Sequence, residues 1–226
     1  MSITRLILFV LLALVSSKNV VIIGDSRACG FAYYTLGIQY TYHNSAYGTG
    51  SYIISDKWVN YGGHSIKVIA EVGASYATFT NKNKEVYKGV NKILGSSSDG
   101  TVVLMWLGVN NLDSASTFNY YKSLAQQYKG LTFYAVSVSG VSSKCDEISN
   151  DTIRKFNNNL RTKVNGAGLK NLKYKSILNN DDPCQIYNSS SGKVTFKVLD
   201  STTDYYGVHY TGNGDREVLL AMLAGI

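Results

Sequence analysis

The stretch Val20-Val21-Ile22-Ile23-Gly24-Asp25-Ser26-Arg27 constrains the fold more than any other part of the chain. An unbroken row of β-branched apolar residues reads as a strand buried on both faces, as in a parallel sheet. Gly24 ends that strand, and a helical segment over 27–36 begins at once. Ser26 therefore stands at the carboxyl end of a buried strand and the amino end of a helix. In an open α/β sheet this is the end at which ligands bind, and helix N–H groups there favour negative charge. Two readings of Ser26 fit: a helix cap, for which Ser and Asp are preferred, or a nucleophile.

The rest of the chain repeats the same alternation. Residues 66–72 read as a second strand, 82–94 as a helix, and 101–107 as a strand apolar on both faces. Residues 114–128 read as a helix, 131–138 as a strand, and 150–164 as a helix capped by Asn150. Residues 172–178 read as a strand and 194–199 as a short edge strand, with a polar, turn-rich segment over 179–193 between them. A last helix covers 215–223. Strands alternating with helices predict a mostly parallel sheet, here five-stranded, inside an α/β/α sandwich. In the flavodoxin-like order 2-1-3-4-5, the ends of the first three strands are neighbours. The long connection 37–64 interrupts the alternation. A connection this long is functional or holds its own small hairpin; it is rich in Tyr, Trp and Gly, and two roles suit its aromatics: lining a substrate groove or covering the sheet edge. His43 and His64 within it read as surface or hydrogen-bonded residues.

The chain has 226 residues and one proline, so a single domain over 18–226 with no linker is expected. Residues 1–17 stand apart. Arg5, the apolar run 6–15 and then Ser16-Ser17 have the form of a secretory signal peptide, and the run is too short for a bilayer span of about 20 residues. The expected product is a secreted protein. With a net charge of +7 the chain is moderately basic, but no nucleic-acid motif accompanies the charge, and Lys82, Lys84, Lys88 and Lys92 recur as a solvated helix face. The cysteines are Cys29, Cys145 and Cys184. Secretion would permit a disulfide, and Cys145–Cys184 is the expected pair. No cysteine or histidine spacing implies a metal site.

The chemistry converges on three strand ends. Ser26, Gly73 and Asn110 each follow one of the first three strands. A serine hydroxyl needs a base to take its proton, and His209, just before the last helix, is the best placed of the three histidines. An oxyanion needs donors fixed in advance, which the N–H of Ser26, the N–H of Gly73 and the side-chain amide of Asn110 could supply. Gly73 as a turn glycine and Asn110 as a loop cap are the plainer alternatives.

Gly24-Asp25-Ser26, Gly73, Gly108-Val109-Asn110 and Gly207-Val208-His209 resemble the four blocks of the SGNH, or GDSL-type, hydrolases, in order and across 18–226. The resemblance implies the flavodoxin-like three-layer fold, no metal and no cofactor. It implies ester hydrolysis with Ser26 as nucleophile, His209 as base, and Ser26, Gly73 and Asn110 as the oxyanion hole. A small-molecule or polysaccharide acyl ester, first an acetylated carbohydrate, is the implied substrate. One departure stands out. The family places Asp three residues before its His, where this chain has Tyr206; Asp204 lies five before. Asp204, Tyr206 or a backbone carbonyl could orient the imidazole. Two further readings follow: a catalytically impaired glycan-binding protein, motivated by Tyr206 and the aromatic 37–64 segment, and an O-acyltransferase.

Overall fold

The computed structural model describes residues 17–45 and 48–226, without the side chains of 43–49. The signal-peptide reading lies outside these residues except for Ser17, as do Tyr47 and the side chain of His43.

The apolar row forms strand β1 (Asn19–Gly24), with Val20 to Ile23 fully buried. It pairs in parallel with β5 (His64–Glu71) on one side and β6 (Val102–Trp106) on the other. Strands β7 (Thr132–Val136) and β8 (Leu172–Lys175) continue the parallel sheet. The order β5-β1-β6-β7-β8 is the 2-1-3-4-5 arrangement expected from the alternation. The expectation of five strands is too low. Among the described residues the sheet holds eight, because the long connection supplies β2 (Thr41–Ser45), β3 (Gly48–Ile54) and β4 (Val59–Tyr61). β3 and β4 pair antiparallel with successive parts of β5, and β2 pairs antiparallel with β3. Backbone pairing thus extends the sheet past β5, and the exposed edge passes to β2.

Alternation along β1 sorts the core into two layers. Val21 and Ile23 face one side, packed with α2 (Tyr76–Thr80), α3 (Glu85–Gly95), α4 (Ser114–Gln127) and α5 (Asn150–Asn165). Val20 and Ile22 face the other, packed with α1 (Ser26–Tyr34) and α6 (Gly214–Leu223). No helix among the described residues is long and apolar enough to cross a membrane.

Several local readings need correction. The run 172–178 divides: β8 stays in the main sheet, and β9 (Leu178–Asn179) joins β10 (Asp182–Asn188) and β11 (Lys193–Lys197) in a second, antiparallel sheet. The polar segment 179–193 therefore holds a strand. Asn150 is not the cap of α5; Ser149 is, accepting from the Thr152 N–H. The Asn150 amide instead bonds Val141 N–H and C=O. The expected Cys145–Cys184 bridge is absent, and all three cysteines are free. Cys145 lines the cleft beside Ser26, whereas Cys184 opens to a different pocket and accepts from Asn150.

Gly24 sets the join between β1 and α1. A Cβ there would stand 2.3 Å from the Ala28 Cβ and 3.3 Å from the Trp106 carbonyl oxygen. Both neighbours are fixed to backbone, so no rotamer change relieves the clash. Gly24→Ala is expected to cost about 2 kcal/mol through overpacking, read as a lower denaturant midpoint at unchanged slope.

Candidate active site

The chain enters α1 with Asp25 as the cap, its carboxylate accepting from the Arg27 N–H at 3.1 Å. The alternative that Ser26 is itself the cap therefore falls. As the first residue inside the helix, Ser26 has an N–H without an intrahelical partner and a hydroxyl free to bond elsewhere.

That hydroxyl meets the far end of the chain. Ser26 Oγ lies 2.9 Å from His209 Nε2, and His209 Nδ1 lies 2.8 Å from Asp204 Oδ2. The sequence separation of the first pair, 183 residues, is closed by the parallel topology, which returns the segment before α6 to the carboxyl edge of β1. Asp204 reaches the ring because the intervening segment folds back. Asp204 N–H donates to the His209 carbonyl, Gly207 N–H donates to the Asp204 carbonyl, and Thr203 and Tyr210 pair as an isolated bridge. Gly207 permits this turn with φ +71°. A Cβ there would sit 2.8 Å from the Cys145 backbone nitrogen and the Ser142 hydroxyl, so the turn packs directly on the 142–145 loop.

The second Asp204 oxygen accepts the N–H groups of Val208 and His209. Burial alone would push this carboxyl up. The bonds from the His209 ring and the Val208 and His209 amides outweigh burial and hold it below the ordinary carboxylate value. Tyr206 takes no part: it is 69% exposed and stands edge-to-face with Tyr205 at the mouth of the cleft.

Gly73 and Asn110 also arrive at this cleft. With Ser26 and His209 they line a cavity of about 790 Å³ that includes Val208, Tyr205 and Tyr206. Asn110 is held by one Nδ2–H donated to the Ala74 carbonyl at 3.0 Å, which leaves its second N–H for a ligand. The four expected residues thus share one cavity. Of the aromatics in 37–64, Tyr40 lines a second cavity beside Ser26, while Tyr42, Tyr52 and Tyr61 lie in strands that extend the sheet. His64 is buried, and its Nδ1 accepts from the Lys18 N–H. Among the described residues no group of three or more His, Cys, Asp or Glu is arranged to hold a metal ion.

Three important residues escaped the sequence reading. Arg27 is 2% exposed. Its guanidinium donates to the carbonyls of Val208, Ser139 and Gly140 and to the Ser139 hydroxyl, and lies 5.2 Å from the centre of the Tyr210 ring. It ties the start of α1 to the backbone beside His209. The other two are acids near that charge. Burial pushes Asp25 up to about 6 and Asp215 up to about 7, each opposed by Arg27. A charged residue directly after Ser26, on a face that must pack against the sheet, was the available signal for Arg27.

No protein-family model matches the sequence, and no curated protein does either. Solved structures do match in fold. A Streptococcus pneumonia protein named for platelet activating factor aligns over 93% of this chain and 85% of its own, at 13% identity and TM-score 0.56. An extracellular lipase from Streptomyces rimosus aligns over 92% and 98%, at 15% identity and TM-score 0.50. A variant of an acetyl-xylooligosaccharide esterase from Geobacillus Stearmophilus aligns over 92% and 93%, at 13% identity and TM-score 0.51. At such identities the likeness is one of fold. It extends over nearly the whole chain, so the parallel sheet and the helices on both its faces form an architecture that known esterases and lipases also use.

Proposed function

We propose that this protein is a secreted serine esterase that hydrolyses acyl esters, with acetylated carbohydrates as the first substrate class. The observation that carries the reading is the continuous chain Ser26 Oγ, His209 Nε2, His209 Nδ1, Asp204 Oδ2 at 2.9 and 2.8 Å. It opens on a cavity shared with Gly73 and Asn110. The fold likeness to a lipase and an acetyl-xylooligosaccharide esterase supports the reaction class, and Arg5 with the apolar run 6–15 supports secretion.

The steps follow from the geometry. Ser26 Oγ attacks the ester carbonyl carbon as its proton passes to His209 Nε2. The oxyanion takes hydrogen bonds from the N–H groups of Ser26 and Gly73 and from the free amide N–H of Asn110. The C–O bond to the alcohol then breaks, and Nε2 returns the proton to the departing oxygen. Water repeats the sequence on the acyl-Ser26 ester, releasing the acid. Asp204 keeps the proton on Nδ1, so that Nε2 presents a lone pair to Ser26.

The binding-protein reading drew its motives from Tyr206 standing in the aspartate position and from the aromatic 37–64 segment. Asp204 against Nδ1 removes the first motive, the second suits a sugar-binding esterase equally well, and no separate observation favours acyl transfer.

The test is covalent as well as kinetic. A fluorophosphonate ester should add once per chain, on the peptide carrying Ser26, and stop p-nitrophenyl acetate hydrolysis in proportion to labelling. Equal hydrolysis by wild type and Ser26→Ala would remove the proposal.

A further inference from the structure

A second cavity, of about 740 Å³, adjoins the first and shares Ser26, Val72 and His209 with it. Gly30, Tyr34, Tyr40, Tyr210, Gly212 and Asp215 line it, with Gly30 directly against the Asp215 carboxyl. Gly73 and Asn110 line only the first cavity. An ester whose carbonyl oxygen turns toward Gly73 and Asn110 therefore has a separate space for one of its two substituents.

Asp215 gives that space its chemistry. It is 8% exposed, and among the described residues its carboxyl receives no hydrogen bond and forms no ion pair, Arg27 acting on it only through space. Its oxygens keep some exposure and open into the cavity, where a ligand hydroxyl can supply the hydrogen bond that the protein does not. Gly30 keeps the approach open: a Cβ there would stand 3.1 and 3.3 Å from the two carboxyl oxygens. Tyr34, 77% exposed, offers a ring face at the rim.

We infer that this cavity is the subsite for the alcohol part of the substrate, and that it takes a neutral, polyhydroxylated ring: a sugar whose hydroxyls bond Asp215 and whose C–H face rests on Tyr34 or Tyr40. Its position on the leaving-group side rests on Ser26 being the nucleophile. A hydrocarbon acyl chain would leave Asp215 unsatisfied. A cationic alcohol would meet the guanidinium of Arg27, which lines the same cavity. An anionic one would meet the carboxyl. A hydroxyl donor has none of these conflicts.

Titration calorimetry on Ser26→Ala protein, which cannot turn over an ester, reads the cavity directly. Xylotriose, cellotriose and chitotriose are the probes, with choline as the cationic comparison. At least one oligosaccharide binds, and adding Asp215→Ala weakens that binding tenfold or more. Adding Gly30→Ala instead, a change that favours the helix, weakens it similarly by crowding the carboxyl, which covers the case of a poorly folding Asp215 variant. Binding of none of the three sugars, sugar binding that survives both changes, or tighter binding of choline overturns the assignment. Hydrolysis of p-nitrophenyl acetate by wild type is measured in parallel. Its absence alongside intact sugar binding would defeat the esterase reading and leave the sugar site standing.

Discussion

Alanine at Ser26, at His209 or at both together lowers kcat for p-nitrophenyl acetate by the same factor, roughly 10⁶, and alanine at Asp204 lowers it by roughly 10⁴. The first equality follows from the two residues working as one device. Without the imidazole the Ser26 proton has no acceptor near neutral pH, and without the hydroxyl the imidazole has nothing to deprotonate. Removing the second member of a pair already broken costs little. A double variant much slower than either single one would show that the residues act separately, and the proposed mechanism would fail.

Asp204 allows a finer separation. One of its oxygens holds His209 Nδ1 and the other holds the Val208 and His209 amides. Asparagine can keep the amide bonds through its own Oδ1, but its NH₂ would donate to Nδ1 and force the imidazole proton onto Nε2. Asp204→Asn should therefore lose as much kcat as Asp204→Ala while retaining more thermal stability. Equal stability losses would mean the turn does not depend on this side chain. Because its hydrogen bonds hold Asp204 below the usual carboxylate value, the acid limb of the wild-type pH–rate profile should not report its protonation.

What was legible in the sequence was whatever a single residue pattern encodes. Val20 to Ile23 and Val102 to Trp106 are buried on both faces, so their apolar rows sufficed to place the centre of the sheet. The helical stripes of α3 and α5 were legible for the same reason. The strands to which the sequence assigns no bounds carry conflicting local signals. β10 contains Asp182 and Pro183 in its first two positions, which read as turn chemistry. Its stability comes from pairing with β9 and β11, which no local pattern reveals. The hairpin in the long connection is polar and aromatic, and Tyr42 at its edge is 82% exposed, so apolar alternation is missing there. At Ser149 the two neighbours Ser149 and Asn150 are both good caps, and only the tertiary demand of Val141 on Asn150 decides between them.

The site divides along the same line. Ser26, Gly73 and Asn110 were findable because each ends a recognisable strand. The placement of Asp204 was not, because it depends on a turn at Gly207 that packs against the 142–145 loop. Arg27 and Asp215 were missed because a buried charge is intelligible only from the groups around it.

Arg27→Leu tests how far the site leans on such a group. Leucine fills part of the volume but leaves the carbonyls of Val208, Ser139 and Gly140 without their donor. It also removes the cation facing Asp25 and Asp215. Breaking a buried charged network from one side costs about 3–5 kcal/mol, so a large fall in Tm is expected. Because the Val208 carbonyl adjoins His209, kcat should fall with it. The loss should also depend on pH. Burial raises Asp25 from 3.8 to about 6 and Asp215 from 3.8 to about 7. A carboxyl raised on folding contributes stability that is complete below its unfolded value and lost as pH climbs through its folded one. Wild-type stability should thus decline between about pH 4 and 7. Arg27 opposes both shifts; without it both folded values move higher and the decline continues past pH 7. The stability gap between Arg27→Leu and wild type should therefore be smaller at pH 5, where both acids are largely protonated, than at pH 8, where wild type holds them ionised beside the guanidinium. Denaturant unfolding of the two proteins at these pH values measures both gaps. If the gaps are equal, Arg27 serves only as a hydrogen-bonding clamp, and the electrostatic part of its role is refuted.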